Sequence, residues 1–249
     1  MASPDHIVHS YDNELTRLKD TITRMGGLVE QQIESAVQAL VLRDSSLADS
    51  VVFNDEKVDA MEHEAQHDVV RLLALRQPMA RDLREIIVSL KVSSDLERIG
   101  DYASNMAKRV IAISQMPAAA PARGIPRMAR MVQAMIKDVL DAYVGRSADS
   151  ALGVWNADRE VDDAYNALFR ELLTYMMEDP RNITPCTHLL FMAKNIERMG
   201  DHATNIAENV YFLVIGEPLL AQRPKGREDL PAGPAGPAGG PPPEDAPDA

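Results

Sequence analysis

Several common ingredients are scarce in this 249-residue chain, and each scarcity excludes something. There is a single cysteine, Cys186, so no disulfide can close within the chain and a reducing compartment is expected. Lys and Arg number 26 against 38 Asp and Glu, a net charge of −12. Such a chain repels nucleic-acid phosphates, whose binding relies on basic side chains, so DNA or RNA binding is set aside. The longest apolar runs, such as "YFLVI" at 211–215, are far too short to span a bilayer. The start, "MASPDHIVHSYDNE", lacks the basic-then-apolar pattern of a secretory signal. A cytoplasmic protein is expected, with any membrane association made through a partner rather than by direct insertion. No nucleophile–base arrangement, phosphate-cradling glycine loop or cofactor fingerprint is visible, so a non-enzymatic role is expected.

What is abundant is helix. Aromatics make up only 4%, and Met, Ala, Leu and charged residues dominate without a persistent strand alternation. Breaks near 44–46, 77–78, 117–126, 145–150 and 179–185 divide the chain into six helices. These form two groups of three. "RMGGLVEQQIESAVQAL" from Arg24 aligns with "RMARMVQAMIKDVLDAY" from Arg127 at an offset of 103. The same offset carries Val51, Val58, Ala65 and Leu72 onto Val154, Val161, Leu168 and Tyr175, seven apart as in a helix seam. For the last helix of each group the offset is 100, and it superimposes "LERIGDYASNMA" on "IERMGDHATNIA". The predicted organisation is all-α, two tandem three-helix bundles: residues 1–116, a Pro/Ala linker over 117–126, and 127–221. From 222 to 249 Pro, Gly and Ala dominate, with too little apolar surface to offset ordering, so a disordered tail is expected.

Candidate chemistry lies in repeated acids. Residues i and i+4 share a helix face. Glu97 and Asp101 are so placed, with Asn105 one turn on, and Glu197, Asp201 and Asn205 repeat them. On the preceding helices Asp55/Asp59 and Asp158/Asp162 have the same spacing. Like charges at i, i+4 cost a few tenths of a kcal/mol per pair, roughly, and a cation would offset that. Leu83 and Leu90 precede Glu97 on nearly the same row, as Ile183 and Leu190 precede Glu197, which argues against an ordinary solvent stripe. The acids also persist in both repeats while neighbours diverge: Lys108 stands against Glu208 and Glu62 against Tyr165. Oxygen donors suit hard cations (Mg²⁺, Ca²⁺, Mn²⁺ or iron) rather than a Cys/His zinc site. A solvated acidic face, or pairing with Arg98 and Arg198, is the alternative.

Two motifs are weaker. "HEAQH" at 63–67 has the His-Glu-x-x-His pattern of zinc proteases, and Glu64 and His67 the spacing of di-iron bundles. Neither has a copy in the second repeat. Cys186 is read as a small buried residue rather than a nucleophile.

The stretches "QPMARDLREIIVSLKVSSDLERIGDYASNMA" and "LLFMAKNIERMGDHATNIAENVYFLVIG" resemble the PhoU family of bacterial phosphate-uptake regulators, and the likeness extends over about residues 6–217. The resemblance implies metal at the acidic-x-x-x-Asp motifs, which fall on Asp55/Asp59, Glu97/Asp101, Asp158/Asp162 and Glu197/Asp201, with Asn105 and Asn205 as further ligands. The cofactor implied is a divalent or trivalent metal ion: iron, manganese, magnesium or zinc. It also implies a negative regulator of phosphate uptake and of the phosphate-starvation two-component response. The implied partners are the ATPase of an ABC phosphate importer, a phosphate-sensing histidine kinase, and a second copy in a homodimer or larger oligomer. The alternatives are a carboxylate-bridged metalloenzyme or metal-storage bundle, and a metal-free acidic adaptor. The Pro/Gly tail departs from the family pattern.

Overall fold

The chain lacks the β-branched alternation a sheet needs, and its apolar residues recur at three and four. In a computed structural model, which describes residues 4–76, 78–116 and 123–220, those residues accordingly form helices and no strand. The helices are α1 (Pro4–Leu42), α2 (Ser45–Arg76), α3 (Arg81–Ser114), α4 (Gly124–Gly145), α5 (Ala148–Glu178) and α6 (Ile183–Ile215). A 3₁₀ turn, Pro180–Asn182, precedes α6. Leu18, Ile22, Met25, Val29, Ile33 and Ala36 of α1 are fully buried, a seam of threes and fours that fixes which face of α1 meets its neighbours. Two breaks in the sequence fall inside helices. Pro126 lies in the first turn of α4 and Pro185 in the first turn of α6. Proline is tolerated there because the N–H it lacks has no intrahelical acceptor. The segment 222–249 and most of the expected linker lie outside the described residues.

The duplication is visible in the turns. Arg43 and Arg146, equivalent at offset 103, both end a helix in the left-handed region, with φ of 55° and 51°. The next residue caps the following helix in each case. Asp44 Oδ1 accepts from the Ser46 and Leu47 amides at 2.9 and 3.0 Å, and Ser147 Oγ accepts from the Ser150 amide at 3.2 Å.

The two groups of helices pack through α3 against α6 and α1 against α4. α3 and α6 run antiparallel in strict register. Arg84 lies 5.7 Å from the Phe212 ring, Asp95 is 2.8 Å from His202 Nδ1, Arg198 is 5.9 Å from the Tyr102 ring, and Arg109 is 4.1 Å from the Phe191 ring. Each pair of numbers sums to about 300, as antiparallel neighbours must. A buried charge joins the groups as well. Glu85 on α3, 3% exposed, meets Lys19 Nζ of α1 at 2.6 Å and the guanidinium of Arg146 beyond α4. Burial pushes the Glu85 carboxyl up, but the two cations more than offset it and hold it below the usual range. Beside it Ser89 Oγ and Tyr143 Oη lie 2.7 Å apart, and burial pushes the phenol up to about 12.

Candidate metal centre

Each repeat folds its second and third helices into an antiparallel hairpin, which brings the two acidic pairs of that repeat to one surface. In the first repeat Asp55, on α2, reaches over Gly100 on α3. A methyl group at Gly100 would lie 3.5 Å from Asp55 Oδ1 and 3.1 Å from Gln32 Oε1. Gln32 comes from α1, is 5% exposed, and donates from Nε2 to Asp55 Oδ1 at 3.4 Å. Its own oxygen is buried with no hydrogen-bond partner. Burial raises the Asp55 pKa; the Ser104 hydroxyl draws it down, the charges of Asp101 and Asp59 raise it further, and Gln32 lowers it, for a net increase. Glu97 is also raised, by burial and by Asp101, against Arg98, with further repulsion from Asp59 and Glu62. Asp59 and Asp101 thus act on both Asp55 and Glu97, and Glu62 adds a smaller repulsion to Glu97 alone. Glu62, 7% exposed, accepts from Gln66 Nε2.

The second repeat keeps the scaffold and changes the surroundings. Asp158, 2% exposed, lies over Gly200, where a methyl group would be 3.5 Å from Oδ1. Glu197 is raised by burial; Lys194 opposes this, while Asp201 and Asp162 add repulsion. Lys194 Nζ sits 2.7 Å from Glu197 Oε1 and 5.3 Å from the Tyr165 ring. Glu197 Oε2 is buried without a partner.

The arrangement differs from the sequence expectation in three respects. Leu83 and Ile183 are 40% and 49% exposed, so the row leading to each Glu does not begin in the core, and the apolar-row argument against a solvent stripe fails. Arg98 folds back on its own helix, 3.4 Å from Glu97 and 3.1 Å from Asp101, whereas Arg198 lies over Tyr102. Ion pairing thus accounts for part of the first acidic face. Among the described residues no three His, Cys, Asp or Glu side chains converge tightly enough to hold an ion, so holding one requires side-chain rotation and release of Arg98. Asn105 is exposed and Asn205 half-buried; Asn205 offers its backbone oxygen to Asn209 Nδ2 at 2.9 Å. His63 and His67 are both exposed, with His63 Nδ1 at 2.7 Å from the Asp59 carbonyl. Cys186 is fully buried, and burial raises its thiol pKa.

Comparison with known proteins places this geometry in a lineage. The PhoU domain model matches twice, over residues 22–110 and 125–210, one match for each repeat. The chain belongs to the PhoU family. Among PhoU relatives, the phosphate-specific transport system accessory protein PhoU homolog of Caulobacter vibrioides is 52% identical over 222 residues, covering 89% of this chain and 96% of the relative. That of Xylella fastidiosa is 53% identical over 220 residues, covering 88% and 93%. The crystal structure of PhoU from Pseudomonas aeruginosa superimposes with a TM-score of 0.81 at 42% identity, over 83% of this chain and all of that one. The phosphate transport system regulatory protein PhoU from Streptococcus pneumoniae gives 0.78 at 29% identity, over 84% and 99%. Within the PhoU frame, the groups that sequence reasoning missed as parts of the site are Gln32, Glu62 and Lys194. Their signal was present: each occupies a position at which the two repeats disagree.

On the first acidic face Gly100 clears space that a Cβ would fill and a buried amide oxygen with no hydrogen-bond partner lies beside it, but the mutually repelling carboxylates do not converge and Arg98 pairs with two of them, so the residues as placed do not hold an ion. When bound, a divalent cation would cancel that repulsion and reverse the local charge. The second carries an ammonium group among its acids.

Proposed function

We propose that the chain is a non-enzymatic, cytoplasmic regulator that restrains phosphate uptake and the phosphate-starvation response. It does so through contacts with the importer ATPase and the sensor histidine kinase, with metal at the acidic helix faces. The observation that carries this reading is the near-complete span of the relatives named as accessory proteins of the phosphate-specific transport system: 96% of the Caulobacter vibrioides protein is matched at 52% identity. Among the described residues no helix is long and apolar enough to cross a membrane, which suits a role exercised through partners. Affinity capture of the full chain with the purified ATPase and kinase, at high and low phosphate, tests it. Retention of both at high phosphate is expected; retention of neither at any phosphate level sinks the reading.

The metal-free adaptor is favoured by one observation, the pairing of Arg98 with Glu97 and Asp101. Repeating the capture in chelator separates the two. Binding that survives chelator unchanged selects the adaptor.

A further inference from the structure

We propose that the flank where the start of α4 packs beside the end of α1 is a docking surface for an acidic, amphipathic helix of a protein partner. Arg123, Arg127 and Arg130 take its carboxylates, and Val41 and Leu42 take its apolar edge. This rests on the reading that the chain acts through protein contacts, and it gives one such contact a place.

The three arginines stand at the N-cap of α4 and four and seven residues on, so they share one face of the helix. All three are exposed. In this acidic chain Arg17, Lys19, Arg76, Arg146 and Lys194 each meet a carboxylate. Among the described residues no hydrogen bond, ion pair or ring contact ties down Arg123, Arg127 or Arg130. Asp44, the acid at the facing end of α1, directs Oδ1 to the Ser46 and Leu47 amides. The arginines also stand where cations destabilise a helix, against the positive end of its dipole. α3 and α5 open instead with an acid, Asp82 and Asp149, whereas the first turn of α4 has none. Unpaired guanidinium groups kept in an unfavourable place point to an anionic partner outside the chain.

α1 supplies the apolar half. Gln133 Nε2 donates to Glu34 Oε2 at 3.3 Å and Leu140 lies against Gly26, so the two helices run antiparallel. That register brings Arg127 level with Leu40 and sets Val41 and Leu42 between Arg123 and Arg127. Val41 and Leu42 are 62% and 61% exposed. The arginine row spans about 10 Å along α4, which acids recurring every three or four residues on a helix laid alongside would match. Guanidinium is the cation best shaped to take carboxylates two bonds at a time. The surface is single rather than duplicated. Arg123, Arg130 and Leu42 have Asp20, Gly27 and Gly145 as counterparts, and Arg24, the counterpart of Arg127, reaches Thr21 Oγ1 at 3.4 Å. A flat anionic membrane fits less well. The same flank runs on into Glu34, Asp138 and Asp141, all exposed, which a bilayer would meet as well and a short helix need not.

Binding of the full-length chain to the purified importer ATPase and to the purified histidine kinase, at high phosphate, decides it. Arg127→Glu/Arg130→Glu is expected to weaken at least one of the two about tenfold or more, as like charges brought together across an interface do. Arg127→Gln/Arg130→Gln should show the same loss on a smaller scale, and Val41→Ser/Leu42→Ser should weaken the same partner. Arg81→Glu/Lys91→Glu makes the same change in net charge elsewhere and should leave both partners bound. Added salt should loosen the wild type from that partner and affect the reversed variant much less. Since every replaced side chain is exposed, Tm should stay at the wild-type value. Undiminished binding of both partners by Arg127→Glu/Arg130→Glu overturns the inference and leaves the partner reading intact. Binding of neither partner by the wild type removes both. A loss confined to phosphatidylcholine/phosphatidylglycerol vesicles, or to self-association in sedimentation, assigns the surface to lipid or to a second copy and also overturns the inference.

Discussion

The first and second repeats have kept the same helices, the same left-handed arginine at the first turn and the same four acids, yet they have diverged in what surrounds those acids. Arg43 and Arg146 show the pattern on a small scale. In equivalent backbone conformations, Arg43 donates to the Ile113 and Ser114 carbonyls at the end of α3, while Arg146 pairs with buried Glu85 near its beginning. Duplication preserves what sets the fold, and the neighbourhood of a charge is where two copies acquire different work.

The largest test concerns the buried charge that joins the two repeats and has no duplicate. Glu85 has Pro185 as its counterpart. Lys19→Met/Arg146→Met leaves the Glu85 carboxylate buried without a cation and should cost roughly 3–5 kcal/mol in urea unfolding, since stripping a buried charge of its partners is severe. Adding Glu85→Leu to that pair should recover most of the loss.

The helix glycines give a smaller, signed comparison. Gly→Ala within a helix gains up to about 1 kcal/mol. At Gly200 the added methyl meets ordinary contacts of 3.5 Å and beyond, so Gly200→Ala should stabilise by most of that amount. At Gly100 it meets Gln32 Oε1 at 3.1 Å, so Gly100→Ala should gain less and weaken metal binding as well. Thermal unfolding in chelator, followed by Mn²⁺ titration, reads both. The smallest effect is the pH dependence. Asp55 and Glu97 have raised pKa values in the folded chain, so the folded form holds their protons more tightly than the unfolded form does. Their contribution to stability must therefore fall as pH rises from the ordinary carboxylate range through the raised values. In chelator, Asp55→Asn/Glu97→Gln should gain on the wild type between pH 4 and 7, by about 1 kcal/mol or less given the partial exposure of both groups. Glu85 runs the other way: its stabilisation is present above its unfolded pKa and lost as pH falls through its lowered folded value.

The six helices and the repeat were legible because apolar periodicity is local and was written twice. The acidic pairs were legible for the same reason, since i, i+4 spacing fixes a shared face without tertiary information. Gln32 was not, because it lies 23 residues from Asp55 and reaches it only once α1 packs on α2. In the sequence Glu62 and Tyr165 stand out only as a difference between the repeats, background variation around persistent acids. Their meaning depends on distance, namely Glu62 within the field of Glu97 and Tyr165 beneath the Lys194 ammonium. The exposure of Leu83 and Ile183 also escaped the periodicity argument: both sit at helix starts, where a row of side chains has not yet reached the core.

The antiparallel register of α3 and α6 also sets how far apart the two helix-turn tips of the molecule lie. Because Arg84 meets Phe212 and Arg109 meets Phe191, the α2–α3 turn and the α5–α6 turn point to opposite poles, separated by about 50 Å for helices of 33 or 34 residues. Each pole carries exposed apolar side chains, Leu75 and Met79 at one and Met177 and Ile183 at the other. Proteins gripping these two tips would not compete for space, so a single chain can act as a two-headed bridge, and because the repeats differ, its heads are not interchangeable.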